Sequence, residues 1–118
     1  MNRGVMAVQK WPALTVAKLT PVAGRRCWHC GTTETLTVQH RANRGHGGRR
    51  SADRPSNALL LCWAFNSLIE SDADAAQIAR ANGWKISTHS DPAKVEAFDV
   101  TTGQNYLLAD DFTRRAVA

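Results

Sequence analysis

The chain has 118 residues, 43% of them apolar and 21% charged, with a formal net charge of +5. This is the size of one small domain with a modest core, too apolar for wholesale disorder and without the roughly 20-residue apolar run of a membrane span. Three cysteines fit a disulfide framework poorly and reduced thiols or metal ligands better, and with no secretory h-region at the N-terminus the expected compartment is the cytoplasm.

Residues 1–24 say little. Trp11-Pro12 reads as a turn, and Pro21 interrupts the apolar pattern of Leu14, Val16, Ala17 and Leu19. A frayed tail is expected, then a short helix or extended segment packing back on the core, with Trp11 as an anchor. Cys27-x-x-Cys30-Gly31 reads as a knuckle in which the glycine lets both sulfurs face one ion. Residues 35–39 alternate polar and apolar side chains, a strand with His40 at its end. Residues 41–56, rich in arginine and glycine, form a long loop, ordered if it holds a ligand.

The Pro55-Ser56-Asn57 turn leads into the apolar run Ala58–Cys62 and a helix from about Cys62 to Glu70, with Leu61, Phe65, Leu68 and Ile69 near one face. Ser71-Asp72-Ala73-Asp74 looks like an N-cap, and Asn82-Gly83 ends the helix that follows. Residues 84–87 read as a strand. Ala97–Val100 and Asn105–Leu108 flank Thr102-Gly103, a hairpin signal, and the tail from Asp111 is expected to fray. The division is a lead-in over 1–24, a core over 25–86 and a C-terminal hairpin and tail over 87–118.

Charge is unevenly spread. Residues 1–60 carry ten Lys/Arg against Glu34 and Asp53, while residues 61–118 carry five against eight acids. Seven arginines and no lysine lie between positions 25 and 54. Planar guanidinium forks suit phosphate, so this half points to nucleic acid, against the plainer reading of a solvated basic face. Arg41, Arg44, Arg49, Arg50 and Arg54 are the candidate contacts, with DNA the first expected partner and RNA the second.

The same stretch holds the chemistry. Cys27, Cys30 and Cys62 supply three of the four ligands of a structural zinc site. A second C-x-x-C pair would need a thiol where Phe65 stands, and His29 is expected to point away from the ion. Asn66, His46, His89 or a water could complete the shell; the plainer alternative is buried thiols, with Phe65 as core. His40, a neutral imidazole at a strand end, could take a proton from water attacking a phosphodiester. Asn57 could hydrogen-bond that imidazole or fix the loop backbone. Asn66 could offer one neutral oxygen to a hard cation.

The order of paired cysteine, His40-Arg41, Arg44-Gly45-x-Gly47-Gly48, Pro55-x-Asn57 and Leu60-Leu61-Cys62 resembles the HNH endonuclease family, in particular the small stand-alone members encoded by bacteriophage and prophage genomes. The resemblance spans roughly residues 25–86. It implies an α+β fold with a ββα-metal core, a zinc-knuckle-like hairpin, a further helix and a small C-terminal β-hairpin. It implies His40 as general base, Asn57 as the residue that orients it, and Asn66 with Gln39 at a catalytic divalent ion (Mg²⁺, Mn²⁺ or Ni²⁺), beside a structural zinc. Gln39 stands where the family has an acid or histidine. Three functions follow as expectations: a metal-dependent nuclease or nickase; a module of the same fold that grips nucleic acid without cutting; or a phage effector that binds a host protein near Trp28 and Trp63.

Overall fold

A computed structural model describes residues 5–6, 11–19, 25–43 and 50–117. The fold is built on a hairpin whose first strand, β2 (Leu36–His40), follows a short β1 (Val5–Met6) and a seven-residue helix α1 (Ala13–Leu19). Strand β3 (Ala58–Cys62) pairs antiparallel with β2 from Leu36↔Cys62 at one end to His40↔Ala58 at the other, and β1 adds in parallel on the far side of β2. All five β2 residues are buried. Both faces are therefore covered, which accounts for the unbroken apolar run Ala58–Leu61 on its partner. Leu59, Leu60 and Leu61 are each at most 2% exposed, worth about 1.5–3 kcal/mol apiece in transfer from water.

Cys62 ends β3 and caps helix α2 (Trp63–Ser71), its thiol accepting from Phe65 N at 3.4 Å. The helix turns Phe65, Asn66 and Ile69 inward, whereas Leu68, expected on that face, is 47% exposed. Asp72, not Ser71, caps the next helix, α3 (Ala73–Ala81), accepting from Ala75 N. Arg80 in the last turn suits the helix dipole. The stop is Gly83, at φ +74°, where an added Cβ would lie 1.9 Å from Glu96 O. No other residue fits that approach.

Beyond it the expected strand over 84–87 is reduced to one bridge, Ala42↔Ile86, because Trp84 turns inward to donate from Nε1 to Phe98 O. A second sheet closes the fold: β4 (Ala97–Asp99), β5 (Gln104–Leu108) and β6 (Arg114–Ala116), all antiparallel. The hairpin at Thr102-Gly103 is present. The tail expected to fray is instead β6, paired with β5 from Tyr106↔Ala116 to Leu108↔Arg114. Trp28 stitches the two sheets, its N–H donating to Leu60 O and its carbonyl accepting from Val100 N. The whole is a small mixed α+β domain with three helices and two sheets among the described residues, none of whose helices is long and apolar enough to cross a membrane.

Candidate functional site

The two ends of the β2–β3 hairpin, roughly 14 Å apart at about 3.4 Å per residue, carry different chemistry. At the Leu36↔Cys62 end the knuckle folds over the strands. Gly31 takes φ +78° and donates its N–H to Cys27 O, closing the turn. Cys27 Sγ then accepts from His29 N at 3.3 Å and from Cys62 N at 3.1 Å, and Cys30 Sγ lies 3.9 Å from Cys62 Sγ. All three thiols are free.

The expectation that His29 points away from the sulfurs is wrong. Its ring stacks on Phe65, 3.8 Å between centroids and 8° between planes, and the stack turns the imidazole into the cluster. Cys27, His29, Cys30 and Cys62 each offer a ligand atom within 4.8 Å of the others. Phe65, at the position where a fourth thiol was looked for, instead supports the ring that brings a nitrogen there. Of the other donors considered, Asn66 bonds elsewhere, His89 lies on an exposed turn outside the group, and His46 falls outside the described residues.

The chemistry of this set fits a metal such as zinc. His29 Nδ1 is buried without a hydrogen-bond partner, a deficit that costs about 1–3 kcal/mol until something fills it. Burial lowers the His29 pKa, keeping the ring in the neutral, ligating form. Burial also pushes the Cys27 thiol up to about 12, against backbone N–H groups of Cys62, Cys30 and His29 that favour the thiolate. An ion would reverse that balance, since metal-bound thiols are deprotonated. Three sulfurs and one imidazole form a closed structural set.

At the His40↔Ala58 end most of the described polar side chains are engaged, the buried Ser56 hydroxyl excepted. His40, 3% exposed, holds Asp53 Oδ1 at 2.9 Å through Nε2 and lies under Trp11, whose ring stacks at 3.7 Å and 11°. Trp11 is fixed by Nε1 donating to Val38 O. Asn57, fully buried, does not touch the imidazole in any bond seen here. Its Oδ1 accepts from Ala42 N and its Nδ2 donates to Ala42 O and Ala52 O, clamping both ends of the arginine-rich loop. Asn66 donates to Thr37 Oγ1 on the helix-facing side of β2, the side that strand alternation also gives to the buried Gln39. His40 and Asn57 thus flank one end of the hairpin. Asn66 sits nearer its middle, and the three do not converge on one shared contact.

The arginines correct another expectation. Arg41 is fully buried, so it presents no phosphate contact. Its guanidinium donates to four backbone carbonyls, Gly83 O (2.8 Å), Ser56 O (3.0 Å), Pro92 O (2.8 Å) and Val95 O (2.7 Å). Burial lowers its pKa to about 10, which still leaves it charged at neutral pH. Arg54 bridges Asp110 and Asp91, each at 3.0 Å, and is committed to protein carboxylates. Arg44 and Arg49 lie outside the described residues, as does the Arg50 side chain. Trp28, offered as part of an exposed docking surface, is 9% exposed; Trp63 is 41% exposed.

Sequence reasoning missed two residues. Asp53 carried no signal beyond being one of two acids in a basic half. His29 was visible but discounted, and the aromatic at position 65 was the clue to its direction. No known family model, no curated protein and no solved structure matches the chain.

Proposed function

We propose that the chain is a zinc-braced ββα domain of the HNH type that acts on the phosphodiester backbone of nucleic acid. What carries this reading is the layout of one hairpin-plus-helix unit: four metal donors at the Leu36↔Cys62 end, and His40 with the loop-clamping Asn57 at the other. A zinc held by Cys27, His29, Cys30 and Cys62 would supply only cross-linking, tying the knuckle to the start of α2. Asp53, accepting from His40 Nε2–H, would orient the ring and stabilise the imidazolium that forms when it takes a proton from attacking water. Trp11 must leave the ring first. Its own described side-chain contacts are that stack and one hydrogen bond to Val38 O, so a local opening at this residue would uncover the ring.

A second reading, binding without cutting, is favoured by the divalent-ion positions. Gln39 and Asn66 offer neutral amides alone, and Asn66 spends its nitrogen on Thr37. Hard cations prefer carboxylate oxygens, so the pair fits Mg²⁺, Mn²⁺ or Ni²⁺ poorly.

Supercoiled plasmid incubated with each of these ions separates the readings. Hydrolysis predicts nicking that falls about 100-fold or more in His40→Ala and rises in Trp11→Ala. A gel shift without nicking in either protein supports the second reading. Retention of neither DNA nor RNA at low salt overturns both.

A further inference from the structure

The half of the chain after Glu70, silent in sequence, builds one wall of a cavity of about 220 Å³. The other walls are Ala58–Leu60 of β3, Leu19 of α1, and the Arg25-Arg26 lead into the knuckle with Trp28. Neither His40 nor any of the four metal donors lines it. The space is smaller than the roughly 300–1,000 Å³ of ordinary ligand pockets, so its occupant is about one nucleotide unit in size, not a length of strand.

Its charge is positive. Arg25, Arg26 and Arg114 face a single lining carboxylate, Asp99, whose Oδ2 accepts from Arg114 Nη1 at 2.7 Å and whose Oδ1 accepts from Thr101 N. Nearby Asp110 is held by Arg54 and Ser56, and Asp111 by Thr113. Arg25 Nε is buried with no hydrogen-bond partner. A buried guanidinium donor left unmet is costly and is met best by an anion.

The remaining lining is mixed, with Trp28, Phe112 and leucines beside Thr101, Thr102 and Thr113. Arg114 spreads over the Tyr106 ring at 4.2 Å and the Trp28 ring at 5.4 Å, making a broad cationic platform. Phe112, at φ +69°, sits in the left-handed region that a bulky residue avoids, at the turn that sets its side chain against the cavity and the core. Backbone strain of this kind is about 1–3 kcal/mol and gathers at ligand sites. A bare anion would leave the aromatic and leucine surfaces unused, and an acyl chain would leave the Arg25 donor unmet, beside Arg26, which spends one donor on Gly31 O, and Arg114, which spends one on Asp99. A phosphate attached to a planar ring uses both.

We infer that this cavity binds a single nucleotide through its phosphate and base, taken either as a free nucleotide or as the phosphorylated end of a strand. Only the strand-end arm rests on the nucleic-acid reading above; the free-nucleotide arm stands without it.

The test is calorimetric titration of the zinc-loaded full chain. The probes are 5′-dAMP, deoxyadenosine, inorganic phosphate, and a short single strand with and without a 5′-phosphate. Saturable binding of dAMP is expected, with deoxyadenosine and phosphate alone each weaker by about tenfold or more. Arg25→Gln and Arg114→Gln should each weaken dAMP by about tenfold, the loss of one charge-assisted hydrogen bond, with Arg80→Gln unchanged. Since Arg114 also holds Asp99, Arg114→Lys serves as the variant that keeps charge but loses the flat fork, and it too should weaken dAMP. Competition by the phosphorylated strand alone identifies a strand end; dAMP binding without strand competition identifies a free nucleotide. No saturation with dAMP or the phosphorylated strand by about 1 mM, or wild-type affinity in Arg25→Gln and Arg114→Lys, overturns the site. Strand binding that persists through both arginine variants leaves the nucleic-acid reading standing and removes only the cavity.

Discussion

The two ends of the β2–β3 hairpin are opposites. At the His40 end three polar side chains are well partnered: Asn57 makes three hydrogen bonds to backbone, Arg41 makes four, and His40 has a carboxylate and a stacked ring. At the Cys62 end a ring nitrogen is buried with nothing to bond, beside the Cys27 thiol that burial holds protonated. A saturated cluster holds itself together. A deficient one needs a ligand, and here the deficiency has the donor types and closeness of a metal site. The contrast separates groups that need a ligand from groups that do not more sharply than residue type does, since histidine and asparagine were candidates at both ends.

Removing the ligand should break the comparison most. Structural zinc contributes about 10–16 kcal/mol in small metal domains, comparable to or above the 5–15 kcal/mol that holds a whole domain folded. Chelation, or Cys27→Ser, should therefore abolish the cooperative thermal transition seen by circular dichroism, and purified protein should carry about one zinc per chain. An unchanged melt in chelator would show that the thiols are ordinary core. His29→Ala should fall between, lowering zinc affinity by about 10–100-fold in a competition titration. His29→Phe, which keeps a ring against Phe65 but loses the donor, should behave the same way if ligation is the role.

The saturated end predicts a loss of scaffold. Arg41→Met strands four carbonyls, and removing one partner from a buried charged network costs about 3–5 kcal/mol. Urea denaturation reads it directly; a cost under about 1 kcal/mol would mean water replaces the guanidinium. Asn57→Ala loses the bonds to Ala42 N, Ala42 O and Ala52 O without burying a new charge, a smaller cost of about 1–3 kcal/mol.

The least effect is expected at Asp110. Burial would raise its pKa, but hydrogen bonds from Ser56 and the Arg54 guanidinium prevail and hold the carboxyl below its ordinary 3.8. A depressed pKa means the stabilisation is present above pH 3.8 and is lost as pH falls through the lower folded value. Because the pair is largely solvent-screened, Asp110→Asn should cost no more than about 1 kcal/mol at neutral pH and should flatten only the acid limb of stability against pH.

Much of the architecture was legible locally. Alternation gave β2, the acids at 72 and 74 with Asn82-Gly83 framed α3, and Thr102-Gly103 marked the C-terminal turn. What escaped was set by long-range contacts. Residues 114–116 form a strand because β5 offers an open edge. Residues 84–87 lose theirs because Trp84 has a better partner in Phe98. Arg41 reads as surface by charge, and only a pocket of carbonyls drawn from positions 56 to 95 makes it interior. The cysteines were legible as ligands by spacing, whereas the direction of His29 depends on a ring 36 positions away.

Arg41 also bears on how this protein can be cut. Two of the carbonyls it binds, those of Pro92 and Val95, lie past the point where a core ending near residue 86 would be trimmed. A fragment ending there would keep every proposed metal donor and His40, yet strip the Arg41 guanidinium of two of its four carbonyl partners. Expression trials of the minimal hairpin-and-helix unit should therefore yield aggregate, and engineering of this scaffold has to carry the last thirty or so residues along.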